Sequence, residues 1–222
     1  MDEMRFLIAV VRRERHEEYF SFFKHYGAQA VFAMLCQGTA QKKTLDLLGL
    51  ERNEKMMLCC LATAADAELL MRRLVWDMRI DAPNAGMAIT VAVQQMDKAA
   101  QDMLCHKGNI ENCEVNKMNQ TPHSLVIAIA EHGYSNMVMD AARSANARGG
   151  TIVPARGTGA QMASKFFGVS ITDEKDLIYI VAKRDDRDNI MRAISEQAGR
   201  DSAARAVVFA LPVESVTGLF DM

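Results

Sequence analysis

Neither sign of charge is in surplus: 26 Lys and Arg stand against 28 Asp and Glu in 222 residues, a formal net charge of -2 at pH 7. That balance removes the electrostatic reason to expect a nucleic-acid or anionic-membrane partner. Long apolar runs are missing too. Stretches such as Phe6–Val11 and Val207–Val213 fall far short of the roughly 20 residues that span a bilayer, so no membrane insertion is expected. Residues 1–15 carry charges on both sides of the apolar run and no small-residue cleavage site after it, unlike a secretory signal. Five cysteines are an odd, scattered set, and 16 methionines suit a reducing interior; the expectation is a cytoplasmic protein without a disulfide framework. Cys105-His106 and Cys113, even with His123, match no zinc spacing, so no metal site is expected. Cys59-Cys60 falls inside a strand pattern, where neighbouring side chains face opposite ways and serve as small buried hydrophobes. No Ser-His-Asp or paired-carboxylate set has a defensible spacing, and the chain reads as non-enzymatic.

What is present is ordinary globular composition, 50% hydrophobic and 24% charged, and one unit written twice. Phe6-Leu-Ile-Ala-Val-Val11 and Leu125-Val-Ile-Ala-Ile-Ala130 are apolar runs of strand length. Each is followed by residues of helical period, Tyr19, Phe20, Phe23 and Tyr26 or Val138, Met139, Ala142 and Ala145. A β-type run comes next, Ala28–Gln37 or Gly150–Arg156, leading into Gly38-Thr39 or Gly157-Thr158, which stand 119 residues apart. The order continues through strands at Met57–Leu61 and Leu177–Val181, helices at Ala65–Trp76 and Arg187–Ala198, and strands at Ala88–Val93 and Ala206–Leu211. Asp185-Asp186 is expected to cap the second of those helices.

Each copy therefore predicts β-α-β-β-α-β, an α+β class with two tandem ferredoxin-like domains, antiparallel sheets and helices on one face. The expected boundaries are 1–95 for a diverged repeat, 96–123 for a linker with a helix over Met96–Leu104, and 124–222 for the second repeat. Runs such as Val207-Val-Phe-Ala-Leu211 do not alternate cleanly, so the sheets are apolar on both faces and the second face needs a cover from another sheet. A homo-oligomer follows.

The second repeat also holds Ala147-Arg-Gly-Gly-Thr-Ile-Val-Pro-Ala-Arg-Gly-Thr-Gly-Ala-Gln161. Exposed N–H groups at Gly157, Thr158 and Gly159 can form an anion-binding concavity. The same glycines equally suit a strand exit and a tight turn, and the spacing is not that of a P-loop.

With its β-α-β-β-α-β order, Gly149 and Thr151 opening a strand, and Arg156, Gly157, Gly159 and Gln161 closing it, the second half resembles the PII signal-transduction (nitrogen regulatory P-II) family. The closing strand Arg205–Val213, followed by Thr217-Gly218, adds to the resemblance. The resemblance implies a trimeric regulator that binds a small effector, an adenine nucleotide, between subunits, in the service of nitrogen regulation. The residues it carries over are Thr151, Gly157, Thr158, Gly159, Gln161 and Arg205. The loop Thr158–Glu174, with Phe166-Phe167, would contact a regulated protein. It has no Tyr before Glu174, which argues against tyrosine uridylylation. The pattern departs at Ala160, at Asp201-Ser-Ala-Ala204, and at Val216 and Leu219, where the family has basic or glycine residues. Each missing charge-assisted hydrogen bond to phosphate is worth roughly 1.5–3 kcal/mol, so beside the adenine nucleotide that the resemblance implies, a less charged nucleotide, another small anion or no ligand stays open. Ala30-Val31-Phe32 replaces Gly149-Gly150-Thr151 in the first repeat, which is expected to be scaffold. A CutA-like metal- or small-molecule-binding trimer is the competing class.

Overall fold

The computed structural model describes residues 3–28, 30–39, 54–94, 122–157 and 173–219. Within them the chain runs β1 (Met4–Arg12), α1 (His16–His25), β2 (Val31–Gly38), β3 (Glu54–Thr63), α2 (Ala64–Trp76) and β4 (Gly86–Val93). It continues through β5 (His123–Glu131), α3 (Ser135–Ser144), β6 (Thr151–Gly157), β7 (Asp173–Lys183), α4 (Arg184–Ala198), β8 (Val207–Pro212) and a short β9 (Ser215–Thr217). The expected β-α-β-β-α-β order thus occurs twice, in an α+β chain with antiparallel strands and helices packed on them. The helix expected at Met96–Leu104, Cys105, His106 and Cys113, and the loop residues Phe166-Phe167 lie outside the described residues.

The chain divides into two compact units, and no single cut separates them. The first holds Met1–Leu35, Glu54–His123 and Pro212–Met222; the second holds Cys36–Asn53 and Ser124–Leu211. In the first, the strands lie in the order β2-β3-β1-β4-β9; in the second, β8-β5-β7-β6. Leaving β9 aside, both place the fourth strand of the motif beside the first and the third beside the second.

In the first unit, β1 pairs antiparallel with β3 (Leu7 opposite Cys60) and with β4 (Leu7 opposite Thr90). Alternation aims Leu7, Ala9 and Val11 at the helices. There they join Leu58, Cys60, Ala62 and Ala88 of the neighbouring strands. From α1 come Tyr19, Phe22 and Phe23, and from α2 Ala67, Leu70, Met71 and Leu74, both at i, i+3, i+4 spacing. Burying a leucine such as Leu70 or Leu74 contributes about 1.5–3 kcal/mol. The N-terminus of α2 is capped by Thr63, whose hydroxyl oxygen accepts from the Asp66 N–H at 3.1 Å while its O–H donates to the Asp66 carboxylate at 2.7 Å.

The second unit repeats this plan. Val126, Ala128 and Ala130 of β5, Ile152 of β6 and Ile178, Ile180 and Ala182 of β7 meet Val138, Met139, Ala141 and Ala142 of α3 and Ile190, Ile194 and Ala198 of α4. Asp185 and Asp186 fall inside the first turn of α4, whose cap position is Lys183 with no side-chain capping bond. They complement the helix dipole instead of capping it. The opposite sheet faces are buried as well, by Met4, Ile8, Met57, Cys59, Ile89 and Val91 in the first unit and Leu125, Ile127 and Val153 in the second. Phe32 and Leu35 of β2 and Val207 and Phe209 of β8 stay exposed.

The three-residue β9 was not anticipated. It pairs with β4 through Ala88–Thr217, Ile89–Val216 and Thr90–Ser215. The Thr90 and Ser215 hydroxyls hydrogen-bond at 2.6 Å, and the Glu214 N–H donates to the Thr90 carbonyl. Gly218 follows with φ +75°, packed against the carbonyls of Gly86 and Ile80.

Candidate functional site

In the second unit the core columns of β5, β6 and β7 end in charge. Beyond Ala128 and Ala130 on β5 comes His132; beyond Ile152 on β6 come Pro154 and Arg156; before Ile178 on β7 come Asp176 and Glu174. Strand alternation puts all of these on the helix-bearing face, past the last apolar layer. The ladder pairs Pro154 with Asp176, Arg156 with Glu174 and Gly157 with Asp173. The His132 N–H donates to the Glu174 carbonyl at 3.2 Å, and the Glu131 N–H donates to the Ala204 carbonyl at 2.9 Å. These backbone links draw the end of β5, the end of β6, the start of β7 and the Ala204-Arg205 segment to one end of the sheet. His132, Pro154, Ala155, Arg156 and Glu174 line a cleft there of about 470 Å³.

Behind the cleft sits a buried carboxylate. Asp176 is 3% exposed. Its Oδ1 accepts from His132 Nδ1 at 2.9 Å and its Oδ2 accepts from the Gly133 N–H at 3.1 Å. The hydrogen bond to Asp176 raises the His132 pKa above its ordinary 6.5; the charge of that carboxylate adds to the rise, and Glu174 contributes less. On the opposite face Lys175 Nζ meets Glu131 Oε1 at 2.5 Å. Arg156 is exposed, and its guanidinium has no hydrogen-bond or ion-pair partner among the described residues. The cleft therefore offers the Arg156 guanidinium, the His132 imidazole and the Glu174 carboxylate, suited to an oxyanion that also carries donors.

Of the residues singled out from the sequence, Gly157 and Arg205 come to this end of the sheet. Arg205 is exposed in a left-handed backbone turn with φ 45°. Thr158, Gly159 and Gln161 lie outside the described residues. Thr151 is at the far end of β6, six positions from Gly157, which is about 20 Å of strand. It is 7% exposed and sits in register between Gly38 and Tyr179. Next to it the Gly150 N–H donates to Thr39 Oγ1 at 2.6 Å, the Thr39 O–H donates to the Gly150 carbonyl at 3.0 Å, and Arg143 donates to the Thr39 carbonyl at 2.7 Å. Gly38-Thr39, the counterpart of Gly157-Thr158, thus packs beside Gly150-Thr151 within the second unit.

The sequence reading passed over His132, Glu174 and Asp176 as site residues. The available signal was a charged residue at the core parity of three separate strands. Among the described residues no group of three or more His, Cys, Asp or Glu is placed to hold a metal ion, and no helix is long and apolar enough to cross a membrane.

Residues 123–219 match the family model described as nitrogen regulatory protein P-II. No curated protein matches the chain. Among solved structures it is similar to Arabidopsis thaliana PII bound to citrate, at 23% identity and TM-score 0.33, covering 42% of this chain and 77% of that one.

Proposed function

We propose that the chain is a non-enzymatic, PII-like regulatory protein, built from two tandem ferredoxin-like PII-type domains, in which the second senses a small effector and the first is scaffold. The observation that carries this reading is that the end of β6 at Gly157 and the segment holding Arg205 converge, within the residues matching the P-II family model, on a cleft lined by the Arg156 guanidinium and the His132 imidazole. The effector is an adenine nucleotide or a related anion, held by Gly157, Thr158, Gly159, Gln161 and Arg205. A ligand that also reached Thr151 would have to extend along β6. The segment following Gly157 contacts a regulated protein, in nitrogen regulation or a related circuit. An effector changes that contact only by the difference in its affinity for two conformations, about 1.4 kcal/mol per tenfold.

The exposed apolar side chains Phe32, Leu35, Val207 and Phe209 support assembly into a homo-oligomer, a trimer by family likeness. Sedimentation as a monomer at micromolar concentration would count against that part. Calorimetric titration with ATP, ADP, AMP and 2-oxoglutarate tests the effector. A saturable heat with a nucleotide or 2-oxoglutarate supports the reading, whereas heat only with divalent copper or zinc would place the chain with CutA-like trimers.

A further inference from the structure

The cleft contains a pair of residues that effector binding alone does not require. Both oxygens of buried Asp176 are engaged, one by the Gly133 N–H and one by His132 Nδ1. That bond fixes the proton on Nδ1. Nε2 is then an acceptor in the neutral ring and a cationic donor in the protonated one. The His132 side chain is 54% exposed and lines the cleft beside Arg156. We propose that His132, positioned by Asp176, makes oxyanion binding in this cleft proton-linked: the protonated imidazole and the Arg156 guanidinium take the anion together, and the neutral ring presents a lone pair that repels it.

The proposal rests on the reading of this cleft as the effector site. Among the described side chains, the charged groups at this end of the sheet are Glu131 before His132 in the chain, Arg156 on β6, Glu174, Lys175 and Asp176 on β7, and Arg205 on the segment after α4. Lys175 and Glu131 neutralise one another across 2.5 Å, and Glu174 stands opposite Arg156 in the ladder. Protonation of the imidazole adds one positive charge to the cleft beside Arg156.

The test uses the intact chain from about pH 5.5 to about pH 8.5, the range in which histidine titrates. Affinities for ATP and for 2-oxoglutarate are measured for the unaltered protein, His132→Gln and Asp176→Asn, while the His132 ring is titrated by NMR. Comparing the unaltered protein with His132→Gln at each pH cancels the titration of the probe itself. The affinity ratio is expected to fall by up to about tenfold per pH unit above the imidazole pKa. Asp176→Asn should move the ring titration and the midpoint of that fall to lower pH together. A saturable, pH-linked response to ATP alone assigns a phosphate and one to 2-oxoglutarate alone a carboxylate; either supports the proposal. A ratio that stays flat while a probe binds overturns the proton linkage and leaves the effector reading intact. If neither probe binds at any pH, both fall. His132→Gln keeps the test decisive should Asp176→Asn fail to fold.

Discussion

Gly218 tests how tightly the last strand is built into the first unit. At φ +75° it occupies left-handed backbone, where an L side chain costs roughly 1–2 kcal/mol. A Cβ there would also overlap the Gly86 carbonyl oxygen and come within 2.9 Å of the Ile80 carbonyl oxygen and 3.0 Å of Met87 Cα. All three are backbone atoms, which cannot swing aside as a side chain does, and such overpacking adds about 1–3 kcal/mol. Gly27 is the internal control, because it has φ +80° in the same unit but nothing within 4 Å of a built Cβ. Gly27→Ala should therefore lose only the conformational part, about 1–2 kcal/mol, and Gly218→Ala about 2–5 kcal/mol. Urea denaturation followed by circular dichroism measures both, with hydrogen exchange at Ala88–Thr90 reporting whether β9 has left its partner strand. Equal losses for the two variants, or a Gly218→Ala variant within about 0.5 kcal/mol of the unaltered protein, would refute the packing argument.

Other consequences are as direct. Tyr19 is fully buried and its hydroxyl has no hydrogen-bond partner among the described residues, so Tyr19→Phe should stabilise the chain by about 1 kcal/mol, read as a higher Tm; a clear loss would mean that the hydroxyl is satisfied. Burial pushes the Cys60 thiol up to about 12, so peptide mapping after exposure to a thiol reagent near pH 8 should find Cys60 unmodified until the protein unfolds. Because the folded-state pKa of His132 is raised, its contribution to stability is fully present below about pH 6.5 and lost as pH rises through the folded value. The stability difference between the unaltered protein and His132→Gln should shrink over that window, and a difference that grows with pH would reverse the assignment. Gly157→Val is expected to abolish effector response while Tm moves by only a few degrees; unfolding of the variant would make Gly157 a purely structural residue.

Most of the fold was legible because apolar period carries it. Phe6–Val11 and Leu125–Ala130 lie within β1 and β5, and Ala65–Trp76 differs from α2 by one residue. These elements bury a continuous stripe, and the stripe is visible in the sequence. β9 was not, since Ser215-Val216-Thr217 has no period to display and its pairing is set by contacts with β4 and Gly86, distant in the chain. The glycines at the end of β6 announced a candidate loop. The residues that line the cleft did not announce themselves, because His132 follows the last residue of β5 and Asp176 closes the charged run that opens β7, and only the fold brings them to 2.9 Å.

The exchange of segments constrains how such a chain is divided. A nick anywhere in 95–121 would strand Ser215–Thr217 on a different fragment from β4, and Gln37-Gly38 on a different fragment from β6. Neither product would be a whole unit, and each would need the other to complete its sheet. Cleavage at a protease site inserted there should yield a nicked complex that co-purifies until denatured. By the same logic, a gene encoding this chain cannot be split at its midpoint into two self-sufficient reading frames, although its two halves read as copies of one ancestor.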